Sequence, residues 1–248
     1  EIIDNDIIPI TDAALGQEGY FYENKANSVK TYFSGQANAQ KGTKLEYDNY
    51  TLDIAPNVNS QSSNEVVLFN RSANTDTPIR YQDVFNDKTD VAHEITSTGF
   101  QEKIILEEYT GQNTFQYVID SHGLEPEVAA DSSVEFYSVG SDEPVFVMDQ
   151  PVVTDSSQQQ KVSAENTVSI APVAGQEDQY LYTVTLDEEF LADENTVYPL
   201  SSQGEVYQVA NSYIEDTYVS TLMPSVNHST LYNLNVGQNQ YLGVSCQV

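Results

Sequence analysis

Tryptophan is absent, cysteine occurs once, and lysine and arginine together number nine in 248 residues. Each scarcity excludes a class of function. A disulfide within the chain needs two cysteines, so there is none. Cysteine-rich zinc sites are excluded for the same reason. No apolar run approaches the roughly 18 residues of a membrane helix, so membrane insertion is not expected. Seven lysines and two arginines against 38 carboxylates make a poor surface for phosphate, so nucleic acid is not expected as a partner.

What is present is acid and aromatic. The formal net charge is −29 and the isoelectric point is near 4.1. Disordered acidic chains lack aromatics; this one has 17 tyrosines and nine phenylalanines, enough to build a core. A globule of this mass exposes roughly 11,000 Å², so net charges lie about 19 Å apart, beyond the ~8 Å over which physiological salt lets charges interact. The fold should tolerate its charge in salt. An acidic, lysine-poor, nearly cysteine-free chain suits an extracellular bacterial setting. Residue 1 is Glu rather than Met, so a removed leader segment, or a chosen boundary, is expected ahead of it.

Apolar residues recur with period two. Tyr180, Tyr182, Val184 and Leu186 share one face, with Leu181, Thr183 and Thr185 on the other. Phe115, Tyr117 and Ile119 alternate likewise, as do Val134 and Phe136 against Glu135 and Tyr137, and Tyr207 and Val209 against Val206 and Gln208. Similar runs occupy residues 20–22, 29–33, 45–47, 66–69, 91–95, 103–106, 144–148, 168–170, 214–219, 231–236 and 241–244. This spacing predicts an all-β fold, a sandwich or extended stacked antiparallel sheets. Turns are expected at Ser121-His122-Gly123 and Gly140-Ser141-Asp142. One or two helical turns are expected at residues 187–191, where Asp187 can cap and Glu188 and Glu189 fill the first turn. Residues 57–64 and 155–160 read as exposed loops.

Few residues suggest chemistry. His93 lies on the face of Val91 and Ile95 and reads as a core or edge histidine; His122 and His228 read as solvated turn and loop residues. Neither a His-Glu-x-x-His nor a Gly-x-Ser-x-Gly motif occurs. With 38 acids, a close carboxylate pair discriminates nothing. Asp83, Asp87 and Asp90, and Asp187, Glu188, Asp193 and Glu194, are acidic loops that could bind calcium weakly. Cys246 reads as a packed small apolar group. No catalytic, cofactor-binding or metal residue is assigned. Tyrosines on strands can fill a core or form an exposed platform for glycan or protein.

Three ordered segments carry a family resemblance: Tyr81-Gln82-Asp83-Val84-Phe85, Asp90-Val91-Ala92-His93-Glu94-Ile95, and Thr98-Gly99-Phe100-Gln101-Glu102-Lys103-Ile104-Ile105-Leu106. Thr114-Phe115-Gln116-Tyr117, Gly123-Leu124, Val134-Glu135-Phe136-Tyr137, Glu143-Pro144-Val145-Phe146 and Val197-Tyr198-Pro199 follow in order. Together they resemble the β-rich N-terminal region of large secreted bacterial surface proteins: RHS-repeat, wall-associated (WapA-like) and DNRLRE-domain proteins. Ile214-Glu215-Asp216-Thr217-Tyr218-Val219-Ser220 and Leu234-Asn235-Val236-Gly237 are similar to the opening of a DNRLRE domain. The chain departs from the family at Phe190-Leu191, where Trp-Leu is usual, and at Leu200-Ser201-Ser202.

The resemblance implies a cell-surface location, in the wall, and continuity with further domains. The expected division is a β-rich surface domain over residues 1–200, with two lobes meeting near residue 75, a joint at 201–212, and a DNRLRE-like module from 213 to 248. The expected role is a non-catalytic structural or adhesion module, not an enzyme. The rival readings are a glycan- or protein-binding module using exposed tyrosines, and a hydrolase of surface polymers. Expected partners are wall polymer, glycan, or a host or neighbouring surface protein.

Overall fold

The structure is a computed structural model that describes residues 4–38, 40–58, 66–68 and 79–209. The expectations for residues 213–248, with His228 and Cys246, lie outside the described residues. Strands and helices are numbered in chain order. One sheet runs β1 (Asp4–Pro9), β2 (Tyr20–Ala26), β3 (Lys30–Asn38), β4 (Lys41–Tyr47), β5 (Tyr50–Pro56), β10 (Thr114–Asp120), β17 (Gln179–Thr185), β16 (Thr167–Pro172). The other runs β11 (Glu125–Val128), β12 (Val134–Tyr137), β13 (Pro144–Met148), β18 (Leu200–Gln208), β9 (Gly99–Leu106), β8 (Thr89–Ile95), β7 (Ile79–Asn86), β6 (Val66–Leu68). Two short strands extend it, β14 (Val152–Thr154) beside β18 and β15 (Val162–Ser163) beside β14. Neighbouring strands are antiparallel throughout both sheets. The fold is all-β, as the two-residue period predicts.

The alternation places the core. On β10, Phe115, Tyr117 and Ile119 are buried; on β17, Tyr182 and Val184 are; on β12, Val134 and Phe136 are. The residues of β10 and β17 in the first sheet meet those of β12, with Phe100, Ile104, Leu106, Phe146, Leu200 and Val206, in the second, forming one apolar cluster. Side chains of both inner faces therefore fill a single layer, as in a sandwich. A smaller cluster joins Phe33 and Ala37 of β3 to Ile79, Tyr81, Val84 and Val91.

Backbones come closest at two glycines. A Cβ on Gly99 would lie 2.0 Å from the Val206 carbonyl oxygen, and one on Gly42 would lie 2.1 Å from that of Ile54. Only a residue without a side chain fits there.

The helices are brief. In α2 (Glu188–Ala192), Asp187 accepts hydrogen bonds from the Glu189 and Phe190 amides, as its sequence predicts. The sequence reading missed α1 (Ala13–Glu18), which Asp12 caps through Ala14 and Leu15 and Gly19 ends at φ 95°. Residues 201–208, expected to open a joint, form most of β18. That strand lies between β9 and β13 in the second sheet. The loop at 155–160 is present and is organised by Asp155. One of its oxygens accepts from the Ser157 hydroxyl (2.6 Å), the Ser157 amide (3.1 Å) and the Lys161 amide (2.8 Å), and the other from the Val197 amide (3.3 Å).

Candidate functional site

Aspartates on two neighbouring strands start the site. Asp53 of β5 and Asp120 of β10 are register partners. Two residues after Asp120 the chain turns through His122 at φ 48° and Gly123 at φ 88°. That turn swings the imidazole back over the strand pair. His122 Nε2 lies 2.7 Å from Asp53 Oδ2 and 3.7 Å from Asp120 Oδ1. A carboxylate can only accept, so Nε2 carries a proton and donates. The other Asp53 oxygen accepts from the buried Tyr20 hydroxyl. Burial first, and then the charge of Asp53, raise the Tyr20 pKa far above its usual value. The phenol therefore stays a fixed donor. Tyr20 fixes Asp53, Asp53 fixes His122, and Tyr20, Asp53 and Asp120 line a 120 Å³ cavity with Lys41, among others.

Two lysines flank the same tyrosine. Lys44 Nζ lies 5.2 Å and Lys41 Nζ 4.7 Å from the Tyr20 ring centre. Lys44 is neutralised by Glu46 at 3.0 Å and Glu18 at 3.4 Å. Lys41 also lines a larger hollow of about 550 Å³, together with Gly19, Phe21, Tyr22, Ser34, Gly35, Gln36 and Asn38. Phe21 is 55% exposed there.

The remaining sequence candidates fall elsewhere. His93 is buried, as expected, between the two sheets. Its Nε2 is 3.1 Å from Glu102 Oε2, its ring packs on Phe33, Tyr81 and Phe100, and its Nδ1 is buried without a partner among the described residues. Asp90 is spent on Arg80 Nε at 2.6 Å and on the Asp83 amide at 2.8 Å. Asp187 caps α2 and accepts from the Ser163 hydroxyl at 2.6 Å, and Asp193 binds Asn195. Among the described residues no three His, Cys, Asp or Glu side chains converge on one point in the manner of a metal site. Glu102, Asp149 and Glu205 line a cavity of about 20 Å³, room for one water and no substrate. Burial, followed by the charge of Glu205, raises the Asp149 pKa.

Among the described residues no tyrosine is strongly exposed, so they form no tyrosine platform. Tyr20, Tyr32, Tyr81, Tyr117 and Tyr182 are buried, and among the described residues the strongly exposed aromatic is Phe21. Sequence reasoning missed the Tyr20–Asp53–His122 chain because 69 residues separate Asp53 from His122. It missed Phe21 because that residue sits in an apparently regular strand. Among the described residues no helix is long and apolar enough to cross a membrane.

No family model matches the chain, and no solved structure matches it. Three named proteins do. The tRNA nuclease WapA of Bacillus subtilis (strain 168) is 31% identical over 157 residues, 61% of this chain and 6% of that protein. The tRNA3(Ser)-specific nuclease WapA of Bacillus spizizenii matches to the same extent. The tRNA(Glu)-specific nuclease WapA of Bacillus subtilis subsp. natto is 28% identical over 205 residues, 80% of this chain and 8% of that protein. The chain thus spans under a tenth of the length of these relatives. Their names correct three expectations: a non-catalytic module, no enzyme, and no nucleic-acid partner. All three rested on the charge and motifs of one segment, which bound only what that segment itself can touch. Nothing in the comparisons brings out RHS repeats or a DNRLRE domain. What they show is likeness: this chain, a two-sheet β body over its described residues, is similar to a segment of the bacterial WapA proteins.

Proposed function

We propose that this chain is a segment of a WapA-like nuclease that cleaves tRNA. The observation that carries the reading is the 31% identity to the tRNA nuclease WapA across 157 residues. The match covers 6% of that protein, so the activity is proposed for the whole polypeptide, and no step of cleavage is assigned to a residue of this chain. The ordered segments from Tyr81 to Gly237 support two finer parts of the same proposal. These are an address in the cell wall or outside the cell, and RHS and DNRLRE-like regions in the same polypeptide, with a DNRLRE-like module from residue 213 to 248 of this chain.

The test uses the polypeptide that contains this chain. Purified and incubated with total tRNA, it should shorten particular tRNAs to discrete fragments on a denaturing gel. Intact tRNA after incubation with the folded polypeptide refutes the proposal.

A further inference from the structure

We propose that the hollow around Phe21 binds a nucleotide, with the base stacked on the Phe21 ring and the phosphate held by Lys41. Two irregularities build the hollow. In β2 the pairing to β3 slips between Tyr20, opposite Ser34, and Tyr22, opposite Phe33. Phe21 is the inserted residue, and the bulge pushes its side chain out of the sheet's alternation. In β3 the pairing to β4 slips between Phe33 and Asn38, so residues 34–37 bow away over the same place. Bulges of this kind re-aim side chains and recur beside binding sites.

The ring is fixed from beneath. A Cβ on Gly35 would lie 2.9 Å from Phe21 Cδ2 and 3.0 Å from Cε2. The ring therefore lies against bare backbone and keeps 55% of its surface exposed. Single exposed apolar residues are common and need no explanation. This one is seated in a 550 Å³ concavity, within the range of small-ligand sites.

Charge selects the ligand. Among the described residues the other lysines and the arginine are engaged by a carboxylate or, for Lys161, the Asn195 carbonyl. Among the described residues Lys41 pairs with no carboxylate and rests instead over the face of Tyr20. Asp53 lines the separate 120 Å³ cavity that Lys41 also borders, and it is occupied by Tyr20 and His122. In a chain of net charge −29, an ammonium kept clear of carboxylates beside an exposed aromatic ring suits a flat ring that carries an anion. Gln36 and Asn38 on the rim can meet a base edge. The Asn38 Oδ1 is taken by the amides of Gln40 and Lys41, which leaves its amide nitrogen to donate. Choosing a nucleotide among anionic rings rests on the tRNA reading above.

The test titrates the 248-residue chain with adenosine 5′-monophosphate, adenosine and inorganic phosphate, reading affinity by isothermal titration calorimetry and the Phe21 ring protons of the parent by NMR. The monophosphate should shift them and bind more tightly than either fragment. Phe21→Ala should weaken binding about fivefold or more, the low end for one stacked base, and Phe21→Tyr should retain it. With a short single-stranded RNA as probe, Lys41→Met should reduce the slope of log affinity against log salt by about 0.7. Since Phe21 is mostly exposed, Phe21→Ala should melt with the parent. No shift at Phe21, an unchanged affinity in Phe21→Ala, or adenosine binding as well as its monophosphate overturns the proposal. Binding is read without cleavage, so a polypeptide that leaves tRNA intact sinks the nuclease reading alone, and a chain blind to the monophosphate sinks the nucleotide site alone.

Discussion

Replacing Gly99 by alanine tests whether the two central strands of the second sheet are as close as described. The added Cβ would sit 2.0 Å from the Val206 carbonyl oxygen, 2.9 Å from the Tyr207 Cα and 3.0 Å from the Val206 carbon. All three are backbone atoms, so no side chain can rotate away. Ordinary contact begins at 3.4 Å, and β9 and β18 must part by more than an ångström to reach it. A shift of that size breaks two or three ladder hydrogen bonds at about 1 kcal/mol each and adds overpacking strain of about 1–3 kcal/mol. The expected loss is about 3–6 kcal/mol. For a domain of this size each kcal/mol moves the melting temperature about 2–4 °C, so Gly99→Ala should melt roughly 6–24 °C below the parent. Gly16, inside α1 with nothing within 4 Å of the place a methyl group would occupy, is the control. There alanine should stabilise by up to about 1 kcal/mol, through helix propensity. Far-UV circular dichroism melts and urea titrations read both. Gly99→Ala melting within about 2 °C of the parent, or Gly16→Ala falling as far as Gly99→Ala, refutes the reasoning.

Two further outcomes follow from buried polar groups. Burial pushes the Asp155 carboxyl up, but the Ser157 hydroxyl and the amides of Val197, Ser157 and Lys161 outweigh it and hold its pKa below the usual range. A lowered folded-state pKa contributes stability that is present above the unfolded value, near 4, and lost as pH falls through the folded value. Asp155→Asn should therefore lower stability at pH 7 and lose less of it than the parent between about pH 5 and 2, as read by urea unfolding at each pH. His93→Phe, which keeps a ring among Phe33, Tyr81 and Phe100 and removes both the unpartnered Nδ1 and the 3.1 Å contact of Nε2 to Glu102, should cost about 1 kcal/mol, the worth of one ordinary hydrogen bond. His93→Ala should cost at least about 2 kcal/mol by leaving a cavity, and equal melting of the two variants contradicts the packing role.

The legible parts of this fold were those written in short-range pattern. The faces of β10, β12 and β17, the cap at Asp187 and the burial of His93 all depend on residues within a few positions of one another. The illegible parts depend on what faces a residue from far along the chain. The expected joint at 201–212 opens in a stretch, 199–204, that holds a proline, two serines and a glycine, yet 201–208 lie in β18 because β9 and β13 flank them and supply the missing hydrogen bonds. The turn at His122 is correctly polar, but its partner Asp53 is on a strand that pairs with β10 only in three dimensions. Phe21 looks like one more alternating strand residue until the slip against β3 turns it outward.

The place of β18 has a consequence for how the polypeptide is made. Synthesis delivers β9 and β13 long before residues 200–208, and until then each exposes a row of unpaired backbone groups on the edge that β18 will occupy. Long-range pairing of this kind is slow and leaves such edges open to the wrong neighbours. The second sheet closes only once Gln208 has emerged, so a chain cut short of that point is expected to aggregate rather than fold.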